Sequence, residues 1–420
     1  MENINQVDSY VIDLLKRSKS ASSSLALLST KEKNEYLMKM ADSLEKNSEQ
    51  ILKANRIDVE NAVKEKTSES LIDRLRLTKE RIYSIAKDVR FVASLADPIG
   101  EGEVWKVPNG LEIKRLRVPL GVVAIIYESR PNVTVDVASL CLKTGNSCVL
   151  RGSSSALNSN RAIVSAISKV LPSDAALLID SEDRKVVDTL MHARGYVDVL
   201  IPRGGANLIK HVTENATVPV IETGSGNCHI FIDESADLEK AEKIVLNAKT
   251  QRPGVCNAAE KLLIHKNVVK EFLPKVAKAL NDKKVELRAD KECKTILDSQ
   301  KIPCKFATEE DWPKEYLDLI IGIKVVNSLD EAIAHINKYN TKHTEAILTN
   351  NVTNANKFAK EIDASTVMIN ASTRFTDGGE FGFGAEVGIS TQKMHARGPM
   401  GLKELTTYKY VVTGEGQVRG

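Results

Sequence analysis

The sequence predicts an α/β fold built on parallel sheets, and two observations carry this prediction. Short apolar strands alternate with helices of 3.6-residue period over residues 121–226 and again over residues 262–369. Residues 121–127 are almost continuously Val, Ala and Ile, as expected of a strand that is buried on both faces. Doubly wound sheets of this kind bind ligands at the carboxyl ends of their strands.

The composition narrows the classes of function. A chain of 420 residues suggests two or three domains. Its formal charge of +3 argues against nucleic acid or an anionic membrane as partner, and no apolar run approaches the roughly 20 residues of a membrane span. Six scattered cysteines without a CxxC pair predict reduced thiols and a cytoplasmic location, and the histidines lack the spacing of a metal site.

The N-terminal part of the chain predicts helices and then a β-hairpin. Residues 1–95 carry apolar side chains at helical spacing between Lys, Glu and Asn, which is typical of surface helices. Residues 104–118 alternate apolar and polar side chains around Asn109 and Gly110, the strongest short-range hairpin signal. A hairpin is marginal alone, so we expect it to pair with another surface, together with the strand-like residues 408–412, and to form a homo-oligomer.

Two loops at predicted strand ends could hold phosphate groups. Arg151 to Ser155 follows the strand at 147–150, and Arg203 with two glycines follows the strand at 197–201 and precedes a helix. A guanidinium beside hydroxyls, or at a helix N-terminus, binds phosphate. The alternative is that both loops are ordinary βα turns. Because the GxGxxG dinucleotide motif is absent, the two loops together are the basis for predicting a nucleotide.

The remaining chain predicts a further strand at 218–221 and then a second, smaller α/β unit. A charged segment at 281–313 is predicted to be irregular. The regular elements are strands at 262–264, 319–326, 346–348 and 366–369, and helices at 268–280, 329–339 and 353–362.

Cys256 is the most informative single residue. It follows Gly254 within Gln251–Ala259, and a glycine allows backbone and substrate to approach closely. One interpretation is a nucleophilic thiol, and the other is a small buried hydrophobe.

Motifs in chain order resemble the aldehyde dehydrogenase superfamily: Pro119–Val123, Lys143–Arg151, Glu222–Gly224 and Cys256. Within it, residues 127–131, 221–229, 326–347 and 386–398 resemble the γ-glutamyl phosphate reductase family. The resemblance implies an aldehyde-dehydrogenase-like fold with two doubly wound parallel-sheet domains and a small β oligomerisation arm. The predicted division is 1–104 and 119–255 for the cofactor-binding domain, 256–392 for the catalytic domain, and 105–118 with 393–420 for the arm.

The resemblance also implies a reaction in proline biosynthesis. Cys256 falls on the superfamily's nucleophile and would attack L-glutamyl 5-phosphate, leaving a thioester that NADPH reduces to L-glutamate 5-semialdehyde. Glutamate 5-kinase, which would supply the acyl phosphate, is a candidate partner, and the homo-oligomer would be a dimer or a tetramer. Glu222 aligns with the superfamily's general base, and the alternative is a carboxylate that orders the following loop.

Arg151 and Ser154 favour NADPH over NADH. Where NAD-preferring members carry a carboxylate, this chain has Ser154, which would not repel a 2′-phosphate. Glu315 falls on the residue that holds the nicotinamide ribose, and the alternative is an exposed acid at a helix end. The other residues predicted to bind the cofactor are Gly152, Ser153, Arg203, Gly204, Gly205 and Gly224.

The substrate needs protein groups of both charges. The candidate cations are Arg130, Lys143, Arg252 and Arg374, and the candidate anions are Glu128 and Glu345. We favour Arg130 and Arg252, with Asn132, because they bracket a strand end and the cysteine. Any of these cations could instead form a surface salt bridge. Ser129 lies near the position of the superfamily's oxyanion donor.

Two other functions are compatible with the same scaffold. One is an oxidative or CoA-acylating aldehyde dehydrogenase, against which the 127–131 and 386–398 motifs speak. The other is a scaffold or chaperone without activity, which an intact Cys256 and its glycine-rich loops disfavour.

Overall fold

The computed structural model describes residues 6–419, except for the side chains of residues 6, 7 and 70. The chain separates into two compact units. Within the described residues, the first unit runs to Thr223 and adds Gly382–Gly388 and the chain from Met400 onward, and the second comprises Gly224–Phe381 and Ile389–Pro399. Residues 1–5, where the predicted cofactor domain begins, and residue 420, where the predicted arm ends, lie outside the described residues.

The N-terminal residues form helices, as predicted from their apolar spacing. These helices are α1 (Gln6–Leu25), α2 (Thr30–Lys46), α3 (Ser48–Lys64), α4 (Glu69–Leu75) and α5 (Lys79–Ser94). Helix α2 begins with a capping box: Ser29 Oγ accepts a hydrogen bond from the Glu32 N–H, and the Glu32 carboxylate accepts one from the Ser29 N–H. Its apolar side chains Leu37 and Met40 are fully buried, whereas Met38 is exposed.

The predicted hairpin is present. Strand β1 (Gly102–Lys106) pairs antiparallel with β2 (Glu112–Pro119), and Gly110 in the turn has a φ of +89°, which glycine adopts without strain. The last strand, β16 (Thr406–Thr413), pairs with the other edge of β2. The resulting three-stranded sheet includes the predicted tail, and its role in oligomerisation stays a prediction.

A four-stranded parallel sheet forms the centre of the first unit. Its strands are β3 (Val122–Tyr127), β4 (Ser147–Gly152), β5 (Ala176–Leu178) and β6 (Val199–Arg203), in the order β5-β4-β3-β6. Its helices are α6 (Asn132–Lys143), α7 (Leu157–Ile167), α8 (Lys185–His192) and α9 (Ala206–Asn215). All six residues of β3 are buried, which explains the continuous apolar run in the sequence.

The second unit contains a seven-stranded parallel sheet in the order β10-β9-β11-β8-β7-β12-β13. Its strands are β7 (Cys228–Ile232), β8 (Ala259–His265), β9 (Glu286–Ala289), β10 (Lys305–Phe306), β11 (Ile320–Val326), β12 (Thr344–Leu348) and β13 (Thr366–Ile369). Its helices are α10 (Leu238–Thr250), α11 (Lys266–Asp282), α12 (Lys291–Ser299), α13 (Leu329–Tyr339) and α14 (Val352–Glu361). Two short strands, β14 (Ile389–Ser390) and β15 (Gly398–Pro399), pair separately.

Two predictions of local structure were wrong. The segment 281–313 is not irregular but contains β9, α12 and β10, because Leu287 and Ala289 are buried and Asp290 caps α12 through the Cys293 N–H. The strand predicted at 218–221 is reduced to a single bridge between Val220 and Leu200, beside β6.

The structure also divides the chain at another place than predicted. The predicted change of domain after residue 255 falls inside the second unit, since β7 pairs with both β8 and β12 in the larger sheet and the unit begins at Gly224. The predicted α/β class with two parallel sheets and a separate β arm is confirmed. Among the described residues, no helix is long and apolar enough to cross a bilayer.

Candidate active site

Arg151 lies near the carboxyl end of β4 without a carboxylate partner. Its side chain is half-buried, its Nε is fully buried, and it donates no side-chain hydrogen bond within residues 6–419. Burial lowers the pKa of Arg151, and the charge of Arg184 lowers it further. Arg184 is exposed, precedes α8, and likewise has no ion pair within the described residues. Two uncompensated guanidiniums in one neighbourhood suit a dianionic phosphate.

Arg184 was missed by the sequence reasoning. Residues 172–196 carry β5 and α8, which are three and eight residues long, and neither has a pattern that stands out locally. Arg184 and Arg151 come close only in the tertiary structure. The one local signal for Arg184 would have been a basic residue at the start of a helix.

The serine-rich loop after β4 is bonded to the loop after β3. Ser153 Oγ accepts a hydrogen bond from the Ser129 N–H at 3.2 Å, and Ser155 Oγ lies 2.7 Å from Ser153 Oγ and 3.2 Å from Ser129 Oγ. Ser129 has a φ of +38°, an unusual conformation for a residue with a Cβ. Since its N–H and hydroxyl are both engaged in this loop, Ser129 is not poised as an oxyanion donor here. Ser154 is exposed.

Of the three residues predicted to bind phosphate at α9, Arg203 and Gly205 already donate hydrogen bonds within the chain, and Gly204 packs against the Glu128 carboxylate. The Gly205 N–H donates to Glu128 Oε2 at 2.8 Å, and a Cβ on Gly204 would lie 2.6 Å from the same oxygen. The Arg203 guanidinium donates to the carbonyl oxygens of Glu386 and Val387, at 3.2 and 2.5 Å. A phosphate at the N-terminus of α9 would therefore have to displace the Glu128 carboxylate.

Glu222 lies beside the carboxyl end of β6. The Ile221 N–H donates to the Leu200 carbonyl at 3.0 Å, and Thr223 Oγ1 donates to the Pro202 carbonyl at 2.6 Å, so both neighbours of Glu222 are fixed. Its own side chain is half-buried. This anchoring suits a positioned carboxylate and also suits one that orders the following loop, so both interpretations of Glu222 stay open.

Asn132 and Arg130, predicted to bind substrate, lie near Asp136 in the first unit. Asn132 Nδ2 donates to Asp136 Oδ2 at 2.9 Å. Burial raises the pKa of Asp136 to about 6, and the charges of Arg203 and Arg130 oppose that rise.

Gly152 shows why glycine is needed after Arg151, because a Cβ there would lie 2.1 Å from the Asn160 amide nitrogen.

In the second unit, Cys256 occupies a tight turn between α10 and β8. The Ala258 N–H closes this turn on the Val255 carbonyl at 3.0 Å. Gly226 packs directly against the turn, since a Cβ at Gly226 would lie 1.4 Å from the Cys256 carbonyl oxygen. The Cys228 thiol donates to the same oxygen at 3.2 Å. The backbone of the 255–258 turn is therefore fixed while the Cys256 side chain remains half-buried.

The other thiols are less suited to act as a nucleophile. Four of them are buried, namely Cys141, Cys148, Cys228 and Cys293. Desolvation raises the pKa of Cys228 and of Cys293. Cys304 is half-buried, but desolvation raises its pKa as well. None of the six cysteines, all within the described residues, forms a disulfide.

Two amide side chains that flank Cys256 hold Arg374. Its Nε donates to Gln251 Oε1 at 2.7 Å, and its Nη1 donates to Asn257 Oδ1. Asn257 Nδ2 in turn donates to the Thr376 carbonyl at 2.9 Å. Arg252, predicted to bind substrate, is exposed and forms no ion pair or hydrogen bond within the described residues. The local sequence gives no sign of this arrangement, which joins positions more than a hundred residues apart.

Glu315 is anchored on both sides. Its Oε1 accepts a hydrogen bond from the Gly226 N–H at 2.7 Å. The buried Lys261 donates to the Lys314 carbonyl at 2.7 Å, and the buried Glu260 accepts from the Leu317 N–H at 3.2 Å. Burial lowers the pKa of Lys261 and raises that of Glu260.

Gly224, predicted to bind the cofactor, is packed within the second unit. Its N–H donates to the Ile389 carbonyl at 3.0 Å, and a Cβ would lie 2.1 Å from a methyl group of Thr391. Among the described residues, no group of His, Cys, Asp and Glu could hold a metal ion.

Two candidates for binding the substrate are corrected by burial. Lys143 is fully buried and donates to Asn34 Oδ1 at 2.6 Å and to the Ala93 carbonyl at 2.9 Å. Glu345 is fully buried, and its Oε2 accepts from the His229 N–H at 2.8 Å and lies 3.0 Å from His229 Nδ1. Both side chains are fully buried against internal partners, which speaks against a role in binding the substrate.

Comparison with known proteins gives full-length matches. The model of the Aldehyde dehydrogenase family matches residues 5–297 and 318–411. The chain is 55% identical over 410 residues to a gamma-glutamyl phosphate reductase of Caldanaerobacter subterraneus subsp. tengcongensis, covering 96% of this chain and 98% of that protein. It is 54% identical over 419 residues to one of Clostridium acetobutylicum, covering 98% and 99%.

A solved structure matches equally well. The crystal structure of gamma-glutamyl phosphate reductase from Thermotoga maritima superposes with a TM-score of 0.93 at 54% identity, covering 98% of this chain and 100% of that one. An acetylating aldehyde dehydrogenase from Geobacillus thermoglucosidasius, at 17% identity and a TM-score of 0.73, covering 99% of this chain and 98% of that one, shares the fold.

Proposed function

Because the chain belongs to the aldehyde dehydrogenase family, and within it to the gamma-glutamyl phosphate reductases, we propose that it reduces L-glutamyl 5-phosphate to L-glutamate 5-semialdehyde with NADPH. Inorganic phosphate is the second product, and the reaction serves proline biosynthesis. The observation that carries this proposal is the identity of 54–55% to gamma-glutamyl phosphate reductases over nearly the whole chain. The family and reaction class predicted from the sequence are confirmed.

Cys256 performs the covalent chemistry in this proposal. Its thiolate attacks the acyl carbon, the new C–S bond forms, and the C–O bond to the phosphate breaks. The Cys256 thioester is then reduced to a thiohemiacetal, which collapses to the aldehyde and returns the thiolate. Phosphate is a good leaving group, so acylation needs no strong general acid. The fixed backbone of the 255–258 turn supports this role because it holds the sulfur in one place.

NADPH, when bound, supplies the hydride. The residues proposed to hold it are Arg151 with Ser153 and Ser154, with Glu315 for the nicotinamide ribose. The buried, unpartnered Nε of Arg151 and the nearby Arg184 support a 2′-phosphate, which NADH lacks. The amides of Gly204 and Gly205 would join this set only if Glu128 moves from the N-terminus of α9, and Arg203 only if it leaves the carbonyl oxygens of Glu386 and Val387.

The reverse reaction is the most direct test. Purified protein is supplied with L-glutamate 5-semialdehyde and NADP, and NADPH formation is followed with inorganic phosphate, with CoA, or with neither. We expect sustained turnover with phosphate only. Sustained turnover with CoA, or with water alone, would identify a CoA-acylating or an oxidative dehydrogenase and overturn the proposal.

Three further features belong to this proposal. The absence of disulfides among six cysteines supports a reducing compartment, the cytoplasm. The three-stranded sheet exposes four large apolar side chains, those of Val104, Trp105, Tyr410 and Val412. This exposed apolar surface supports a homo-oligomer, either a dimer or a tetramer. Light scattering at micromolar protein would show a monomer if that is wrong. Glutamate 5-kinase is the proposed source of the substrate, because acyl phosphates hydrolyse readily in water.

A further inference from the structure

We propose that Arg374 and Arg252 form the subsite for the phosphoryl group, in which the acyl phosphate is held and from which inorganic phosphate leaves. The inference rests on the proposed function and adds to it the residues that receive the leaving group. It follows from how Arg374 is held by residues close to Cys256 in the chain, and from the nearby charge of Arg252.

The position of Arg374 is fixed by neutral groups. Its Nε and Nη1 donate to the side-chain oxygens of Gln251 and Asn257, which lie on either side of Cys256 in the chain. Amide oxygens orient a guanidinium but leave its positive charge uncompensated, whereas a carboxylate would neutralise it. Within residues 6–419 its Nη2 donates no hydrogen bond, so one donor edge is left for a ligand.

Arg252 adds a second charge at the same place. It directly follows Gln251, the residue that Arg374 contacts, and its guanidinium is exposed without a partner in the described part of the chain. The charge of Arg252 acts on Arg374 and lowers the pKa of Arg374, although desolvation lowers it more. Two guanidiniums that repel each other are stabilised when an anion lies between them.

The carboxylate that acts on Arg374 is engaged elsewhere. Asp377 opposes the lowering of its pKa, but Asp377 Oδ1 accepts hydrogen bonds from the N–H groups of Gly379 and Glu380, at 2.9 and 3.4 Å. Asp377 therefore caps its own turn and forms no ion pair with Arg374. The net charge beside the nucleophile remains positive.

The chemistry of the reaction selects phosphate as the anion. The acyl carbon that Cys256 attacks carries the phosphate oxygen directly, so the phosphoryl group must lie next to the sulfur during acylation. The α-carboxylate lies at the far end of the substrate, four carbons along the chain. Cations that flank the reactive cysteine are therefore placed for the phosphoryl group, and they also stabilise the negative charge that develops on the leaving oxygens.

The test is the phosphate dependence of the reverse reaction in full-length variants. Arg374→Met and Arg252→Met are expected to raise the KM for inorganic phosphate about 10- to 100-fold, as loss of a charged hydrogen bond requires. The KM for glutamate semialdehyde should change about threefold or less. Arg397→Met, which removes a guanidinium paired with Asp363 on the same unit, is the matched charge control.

A second control separates binding from mere support of the turn. Gln251→Ala removes one of the two hydrogen bonds that orient Arg374 but keeps both cations, so it should raise the KM for phosphate clearly less than Arg374→Met does. If Arg374→Met and Gln251→Ala lower kcat alike without changing the KM for phosphate, Arg374 only supports the turn and the subsite is refuted. A rise confined to the KM for glutamate semialdehyde would place the α-carboxylate there and also overturn it.

Failure of the proposed function would look different. Unaltered protein mixed with glutamate semialdehyde and NADP without phosphate should release a burst of NADPH equal to the concentration of Cys256, because thioester formation needs no phosphate. Absence of that burst contradicts the proposed function itself. A normal burst with an unaltered phosphate KM in Arg374→Met contradicts the subsite alone.

Discussion

Each of the two units contains a pair of arginines without carboxylate partners among the described residues, but the pairs are held differently. In the first unit, Arg151 donates no side-chain hydrogen bond in the described residues, and its position follows from β4 and from burial of its Nε. In the second unit, Arg374 is fixed by Gln251 and Asn257. Paired arginines such as Arg90, whose pKa Glu45 and Asp42 raise, show the ordinary alternative.

The difference matches what each pair is proposed to do. A cofactor phosphate stays distant from the reacting atoms, so a guanidinium that adjusts to it is sufficient. A leaving phosphate changes its bonding and charge in the transition state, and donors aimed beforehand at that charge lower the barrier more than adaptable ones do. Neutral amides can aim a guanidinium without cancelling its charge.

The largest expected effect separates chemistry from cofactor binding. Cys256→Ala should lower turnover at least about 10⁴-fold because no other group can form the thioester. Binding of NADPH, which we attribute mainly to the first unit, should stay within about threefold by fluorescence titration. Cys304→Ala, a half-buried cysteine of the same unit, is the control and should keep full activity. Appreciable turnover in Cys256→Ala would contradict the mechanism.

An intermediate effect tests the first pair of arginines. Arg151→Met should lower kcat/KM for NADPH about 10- to 100-fold and leave that for NADH within about threefold, since only NADPH carries the 2′-phosphate. Arg184→Met should act in the same direction and more weakly, because Arg184 is exposed. Arg161→Met, which loses an exposed ion pair with Asp180, is the control. Equal losses of kcat/KM with NADPH and with NADH would contradict a role of Arg151 in binding the 2′-phosphate. The proposed difference between the two arginine pairs would then not hold.

The smallest expected effect concerns the stability of the second unit in acid. Burial lowers the pKa of His343 from 6.5 to about 4, so its neutral form stabilises the folded state above pH 6.5 and this stability is lost as the pH falls toward 4. His343→Gln should make the fall of Tm over that interval shallower by a few degrees. His192→Gln, which replaces an exposed histidine of the first unit, should leave the fall of Tm with pH unchanged. Parallel curves of Tm against pH for His343→Gln and the unaltered protein would contradict the contribution of His343.

A structural element could be predicted from the sequence when neighbouring residues in the chain carry its pattern. Strand β3 was predicted because burial on both faces requires a continuous apolar run. Strand β9 was missed because charged residues alternate with buried ones, Glu286 before Leu287 and Arg288 before Ala289, inside a segment rich in charge. Four residues with two charges do not suggest a buried strand until β10 and β11 are known to lie beside it.

The same division applies to the candidate site. Cys256 and Glu315 were proposed from motifs of neighbouring residues in the chain, and their roles stay predictions. The contacts of Arg374 with Gln251 and Asn257, and the neighbourhood of Arg151 and Arg184, depend on folding and leave no local pattern. Lys143 and Glu345 were misjudged for the opposite reason, since only the structure shows that they are buried.

The contact of Gly226 with Cys256 limits how this protein can be re-engineered. Only a hydrogen atom fits between the Gly226 Cα and the reactive turn, so even alanine would push the turn out of place. Mutant libraries made to change the acyl group that the protein accepts should therefore leave position 226 untouched and draw their diversity from the side chains around the thiol.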